Sequence, residues 1–254
     1  MRYAMIMAGG AGTRLWPMSR QARPKQLLPF IHGRSLLELA VERLTGVVEP
    51  ERRLICTGER FRASIRDAMP DLTNDQILGE PVGRDTVNAV GLTAAVLADH
   101  DPDAVFAELT ADHVITPQSE FAKRLEVGFG LAEDRPSRFV TFSITPTYPA
   151  TGYGYVERGA PIADFDDAHC AVQFVEKPAL ATAEEYLAAG TFGWTSGMFV
   201  FHAATFMDAM RRFQPEAHAG LTEIAKAWAT PERQATLERV YPTLPKTSVD
   251  YGVM

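Results

Sequence analysis

Apolar residues along the first half of the chain fall into short blocks that alternate between two spacings. "RYAMIMA", residues 2 to 8, is apolar from Tyr3 onward and of strand length, the pattern of a strand buried on both faces. In "SLLELAVERL" (35–44) the apolar positions Leu36, Leu37, Ala40, Val41 and Leu44 recur at helical spacing. The alternation then repeats. "RRLICT" (52–57) predicts a strand and "ERFRASIRDAM" a helix, "DQILGEP" (75–81) a strand and "DTVNAVGLTAAVLADH" a helix. "AVFAELTADHVI" (104–115) opens as a fourth strand before the helical "SEFAKRLEVGFGLAED", and "RFVTFSI" (138–144) is a fifth. Repeated βα units of this kind predict an α/β fold with a mostly parallel sheet and helices on both faces. In such sheets ligands bind beyond the carboxyl ends of the strands.

The rhythm changes after about residue 147. "GYGYVERG" and "AVQFVEKP" have the pattern of a paired β-ribbon around an acidic loop holding Asp164, Asp166 and Asp167. "EEYLAAG" predicts a short helix, and "SGMFVFHAATFMDAMRRF" a strand running into a helix. Residues 216 to 240 are helical with a break at Pro231. No repeat, low-complexity stretch or flexible linker interrupts the chain. Residues 1–254 are therefore expected to form one domain whose role changes between its halves, 1–147 and 148–254.

Composition narrows the field. Hydrophobic residues make up 46% and charged residues 22%, the proportions of an ordinary globule. The net charge of -7 speaks against a general nucleic-acid binder, so an anion site must be a local positive pocket. Cys56 and Cys170 stand far apart without metal-ligand spacing and read as reduced thiols, with a lone disulfide as the alternative. The longest apolar run is too short for a signal segment or a membrane span. A cytoplasmic protein without membrane partners is expected.

Candidate chemistry begins at "IMAGGAGTRLWPMSRQARPKQLLPF" (6–30). Gly9, Gly10 and Gly12 follow a strand, so backbone N–H groups can approach a phosphate without interference from Cβ. Arg14 and Lys25 bring positive charge to the same segment, and Pro24 stiffens the presentation of Lys25. A dinucleotide fingerprint would need a further glycine where Leu15 stands, and a P-loop would need a closing Gly-Lys-Ser/Thr. A glycine turn with solvated cations is the plainer alternative.

This segment resembles the signature of the sugar-1-phosphate nucleotidyltransferases, and its "LWP-SR" and "PKQ" variant is most similar to the mannose-1-phosphate guanylyltransferase branch. Six further blocks resemble the family in the same order: "GEPVGRDT" (79–86), "ADHVI" (111–115), "GYGYVE" (152–157), "FVEKP" (174–178), "WTSGMFVF" (194–201) and "SVDYGVM" (248–254). The resemblance implies a Rossmann-like, doubly wound, GT-A-like fold with an added sugar-binding β-ribbon, the first half mainly nucleotide-binding and the second mainly sugar-phosphate-binding. It implies the reaction of GTP with mannose 1-phosphate to give GDP-mannose and diphosphate, with Mg²⁺ as cofactor. Other nucleotide or hexose phosphates, and a non-catalytic sugar-nucleotide binder, are the rival readings.

Residue by residue, the resemblance assigns Ala8, Gly9, Gly10, Gly12, Thr13, Arg14, Lys25, Glu80 and Arg84 to the nucleotide. Arg14, Lys25 and Asp112 are its catalytic set, and Asp112 and Asp250 its Mg²⁺ ligands. Mg²⁺ prefers one or two carboxylates plus phosphate oxygens, although Asp112 at a strand end could equally be a turn cap. Glu80 is expected to accept from two adjacent N–H groups of a guanine edge, while Arg84 could meet a phosphate or hold its own loop. Gly154, Glu157, Glu176, Lys177 and Thr195 are the implied sugar-phosphate set. Gly154 could otherwise mark a bulge, and Lys177 could be a solvated edge charge. Two departures are visible. The family's Arg-Asn-Thr-Ala-Pro-Ala is here Arg84-Asp85-Thr86-Val87-Asn88-Ala89, and Thr195 replaces an Asn. Family members continue past this last block into a β-helical tail that packs on the core or builds a dimer. The 254 residues are accordingly read as lacking that extension, with a homodimer among the expectations.

Overall fold

A computed structural model describes residues 1–10, 15–19 and 24–253. The elements in chain order are β1 (Arg2–Met7), α1 (Leu36–Glu42), β2 (Arg53–Gly58), α2 (Arg62–Ala68), β3 (Ile77–Glu80), α3 (Thr86–His100), β4 (Val105–Thr110), α4 (Gln118–Asp134) and β5 (Val140–Ile144). They continue with β6 (Gly154–Pro161), β7 (His169–Glu176), α5 (Leu180–Ala189), β8 (Phe192–His202), α6 (Ala203–Phe213), α7 (Pro215–Ala227), α8 (Arg233–Val240) and α9 (Val249–Gly252). Each expected strand and helix has its counterpart. The boundaries move most at β8, which begins at Phe192 rather than Ser196, and at α5, which begins at Leu180.

The strands form a single sheet in the order β3-β2-β1-β4-β8-β6-β7, with β5 paired to β8 outside that path. β1 pairs in parallel with both β2 and β4, and β2 in parallel with β3. β8 is antiparallel to β4, β5 and β6, and β6 is antiparallel to β7. Six strands thus run one way, and β7 and β8 run against them. β8 is long enough to serve both halves. Phe199 to His202 pair with β4, and Phe192 to Trp194 pair with β6.

Helices cover both faces, and β1 shows why a continuous apolar run was required. Tyr3 and Met5 face one core with Phe106, Phe201 and buried residues of α3, α6 and α7. Ala4 and Ile6 face the other with Leu37, Ile65, Leu125 and Phe129. Successive side chains of a strand alternate faces, so a central strand between two helix layers has no place for a polar residue. The charged exception at the middle of the sheet is Glu108 of β4, only 3% exposed. A third cluster, Ala150, Tyr155, Ala183, Phe192 and Trp194, packs the ribbon against α5. α1 starts on a capping box: the Glu38 backbone amide donates to Ser35 Oγ at 3.2 Å, and the Ser35 amide donates to the Glu38 carboxylate at 2.6 Å.

Candidate active site

The first candidate group stands where β1 ends. Gly9 and Gly10 have open space where a Cβ would be, and Gly10 adopts φ +91°, a conformation that disfavours side chains. This is the bare backbone the phosphate reading requires. Gly12, Thr13 and Arg14 lie outside the described residues. Ala8 sits beneath the turn, its carbonyl accepting from Gln26 Nε2 at 2.6 Å and Thr57 Oγ1 at 2.9 Å. Gln26 therefore ties the end of the signature segment to its beginning, a role the sequence reading did not assign although "PKQ" contains it.

Lys25 projects from the same short turn, and its Nζ donates to Asp112 Oδ2 at 2.5 Å. Asp112 follows β4, which lies beside β1, so parallel pairing brings two distant motifs to one edge. Burial pushes the Asp112 carboxyl up, but the hydrogen bond and charge of Lys25 outweigh it and hold the group below the usual carboxylate range. Arg43 braces the segment after Asp112, donating to the His113 carbonyl at 2.6 Å. Its place as the one cation near the end of an apolar helix was the available signal, and it went unread. His113 itself is held low, first by burial.

A second group forms across the ribbon. Gly154 pairs with Glu176 of β7, and Thr195 of β8 approaches from its other side. A Cβ at Gly154 would stand 2.6 Å from Glu176 Oε2 and 2.8 Å from Thr195 Oγ1, so the missing side chain is what lets them converge. Three residues expected to meet a sugar are therefore together. Lys177 follows at φ +47°, its amide donating to the Tyr153 carbonyl at 3.2 Å and its Nζ to Glu176 Oε1 at 2.7 Å. Glu157 stands apart from this group. Its carboxylate accepts from Gln173 at 2.8 Å, and an odd spacing of three residues from Gly154 points it to the opposite face of the ribbon.

Asp250 belongs with the second group. It lies in α9, which docks on the start of α3: the Val249 amide donates to Thr86 Oγ1 at 2.9 Å. Burial raises the Asp250 carboxyl, Glu176 and Asp85 raise it further, and Lys177 opposes them. Asp250 also adds to the burial that pushes Glu108 up to about 8. The charged neighbours of Asp112 are Lys25 and His113, and those of Asp250 are Glu176, Lys177 and Asp85. Among the described residues no three His, Cys, Asp or Glu side chains are gathered into a metal cage.

Glu80 ends β3, only 8% exposed. Tyr241 Oη donates to its Oε1 at 2.7 Å. Arg84 is half-buried, and its carbonyl accepts from Asn88 at 2.7 Å. Asn88 thus ties this loop to the first turn of α3.

An open sheet wound on both faces, with a cation, a carboxylate and two glycines that have free space at their Cβ positions beyond its strand ends, defines a doubly wound α/β domain. The chain belongs to the nucleotidyl transferase family, whose sequence profile matches residues 3–235. It is 37% identical over 255 residues to xanthan biosynthesis protein XanB of Xanthomonas campestris, covering 98% of this chain and 53% of that protein. It is equally 37% identical to a mannose-1-phosphate guanylyltransferase of Klebsiella pneumoniae, over 100% of this chain and 54% of the relative. The chain thus spans about half the length of these curated relatives. The crystal structure of mannose-1-phosphate geranyltransferase from Thermus thermophilus is similar, with a TM-score of 0.86 and 38% identity, covering 100% of this chain and 70% of that one. No helix among the described residues is long and apolar enough to cross a membrane.

Proposed function

We propose that the chain catalyses nucleotidyl transfer from GTP to mannose 1-phosphate, giving GDP-mannose and diphosphate. A sugar-phosphate oxygen attacks the α-phosphorus in line. A new P–O bond forms, the bond to the oxygen bridging the α- and β-phosphates breaks, and diphosphate leaves with that electron pair. The second pKa of a phosphate monoester is about 6, so the nucleophile is already a dianion at neutral pH and no general base is needed. Catalysis reduces to positioning and charge neutralisation.

The observation that carries this reading is the Lys25–Asp112 pair beside the open Gly9–Gly10 backbone, at the carboxyl ends of adjacent parallel strands. Lys25 would neutralise a triphosphate held over those amides, with Arg14 as the further cation expected there. Gly154, Glu176 and Thr195 would take the hexose hydroxyls, and Lys177 its phosphate. Glu80 and Arg84 would face the nucleotide. The guanylyltransferase name of the Klebsiella pneumoniae relative supports the choice of GTP and mannose 1-phosphate.

A divalent cation suits the acidic residues present. Asp250 is crowded by Glu176, Asp85 and the buried Glu108, whose Oε2 has no hydrogen-bond partner among the described residues, and Asp112 is held ionised. Asp112 and Asp250 would hold Mg²⁺, which supplies charge neutralisation for the phosphates when bound. The test is diphosphate release from a panel of nucleoside triphosphates and hexose 1-phosphates, with and without magnesium. GTP with mannose 1-phosphate should give the highest kcat/KM, and release that ignores the sugar phosphate would overturn the reading.

A further inference from the structure

Tyr241 lies just past α8, outside the seven sequence blocks quoted above, and is fully buried. Its one polar side-chain atom reaches back 161 residues in sequence to Glu80 Oε1, at 2.7 Å. Burying a tyrosine hydroxyl against a buried carboxylate is costly unless each satisfies the other. We propose that Tyr241 is a positioning residue for base selection, aiming the Glu80 carboxylate at the paired N–H groups of a guanine edge. The inference rests on the reading of Glu80 as the base-facing acceptor.

The acceptor sites of Glu80 can be counted. An ionised carboxylate offers about four lone-pair sites. The Tyr241 hydroxyl fills one, at Oε1. The sites that remain can take the two adjacent donors that guanine presents through its ring N–H and its 2-amino group. Hypoxanthine presents one of these donors and adenine neither. Tyr241 also supports the charge this readout requires. Burial raises the Glu80 carboxyl, and the Tyr241 and Arg84 hydrogen bonds draw it back. The groups facing this pocket are Arg84 and the buried Cys56 thiol, which burial and then Glu80 push up. A protonated Glu80 would set a donor against guanine's donors.

The experiment compares wild type with Tyr241→Phe using GTP, ITP and ATP, each with saturating mannose 1-phosphate. Tyr241→Phe should lower the GTP-to-ITP ratio of kcat/KM by roughly tenfold, the scale of a hydrogen bond to a charged group. ATP turnover and the KM for mannose 1-phosphate should hold. The pH below which GTP preference disappears should rise in the variant, because Glu80 loses a bond that favours its ionised form. An equal loss with all three nucleotides would mark a merely structural role and overturn the proposal. If wild type shows no preference for GTP, the Glu80 reading fails and this inference fails with it. If wild type prefers GTP and the variant keeps the same ratio, only this inference fails. Should Tyr241→Phe not fold, carbon-13 NMR of ring-labelled tyrosine in the intact protein decides. The buried Tyr241 signal, identified by its displacement in Glu80→Gln, should move on adding GTP and stay with ATP. A signal indifferent to GTP would overturn the proposal.

Discussion

Lys25 and Asp112, 87 residues apart in sequence, meet in an ion pair of 2.5 Å beyond the ends of two neighbouring parallel strands. The side chains are 28% and 43% exposed, so the pair itself stabilises the fold little, about 0.2–1 kcal/mol for such pairs. Its value lies in placing a cation and an ionised carboxylate together over bare backbone.

Lys25→Ala should therefore reduce kcat/KM by roughly a hundredfold or more while the melting temperature changes by only a few degrees. Asp112→Asn should abolish magnesium-dependent turnover with folding retained. The Asp112 carboxyl is depressed in the fold, so its contribution to stability is present above the unfolded pKa and lost as pH falls through the folded value. Both variants should accordingly lie slightly below wild type in stability at neutral pH, and the gap should close in acid. Urea titration at pH 7 and in acid checks the stability arm, and diphosphate release checks the other.

Gly154→Ala tests the convergence across the ribbon. The new methyl would stand under 3 Å from both Glu176 Oε2 and Thr195 Oγ1, so at least one must move. A displacement near 1 Å costs on the order of a hundredfold in a positioned site. The loss should appear in kcat/KM for mannose 1-phosphate, with GTP affinity by equilibrium binding unchanged. A variant that lost GTP affinity alone would place this group on the wrong substrate.

Lys177 donates to Glu176 and follows it directly in sequence, so its charge is delivered where the hexose group is built. Its bond to Glu176 and the charge of that carboxylate push its pKa up and keep it protonated through neutral pH. Lys177→Ala should raise the KM for mannose 1-phosphate by about tenfold or more and leave the KM for GTP within about twofold. Saturation kinetics in each substrate separates the two.

Much of the fold was legible because both faces of the parallel strands are buried. "RYAMIMA" and "RRLICT" could satisfy that arrangement in only one way, and helical spacing marked their partners. β8 was harder. Gly193 and Thr195 break its apolar run, and Phe192 and Trp194 become recognisable as strand residues only once α5 covers them. The site divides along the same line. Local motifs marked Lys25, Asp112, Gly154 and Glu176, but the meeting of Gly154 with Thr195 depends on strand register, which no local pattern states. Gln26, Arg43 and Tyr241 escaped because each acts through a backbone atom or a side chain belonging to a distant element.

Glu108 supplies the last prediction. It occupies a strand position between Ala107 and Leu109 whose neighbours on both sides belong to apolar core, and its Oε2 finds no partner among the described residues. Burial, then the Asp250 charge, push its carboxyl up to about 8. In the unfolded chain the same group ionises near about 4.3. Between those values the folded state holds a proton that the unfolded state has released, so stability falls as pH rises, by up to about 1.4 kcal/mol per pH unit from this group alone. Above the folded pKa no further loss follows. Glu108→Gln keeps the shape and removes the titration. Urea denaturation in chelator-containing buffer at about pH 5.5 and about pH 8 should show wild type losing stability across the interval and Glu108→Gln losing markedly less. Equal slopes in the two proteins would mean that Glu108 is ionised and compensated in the native fold at both pH values.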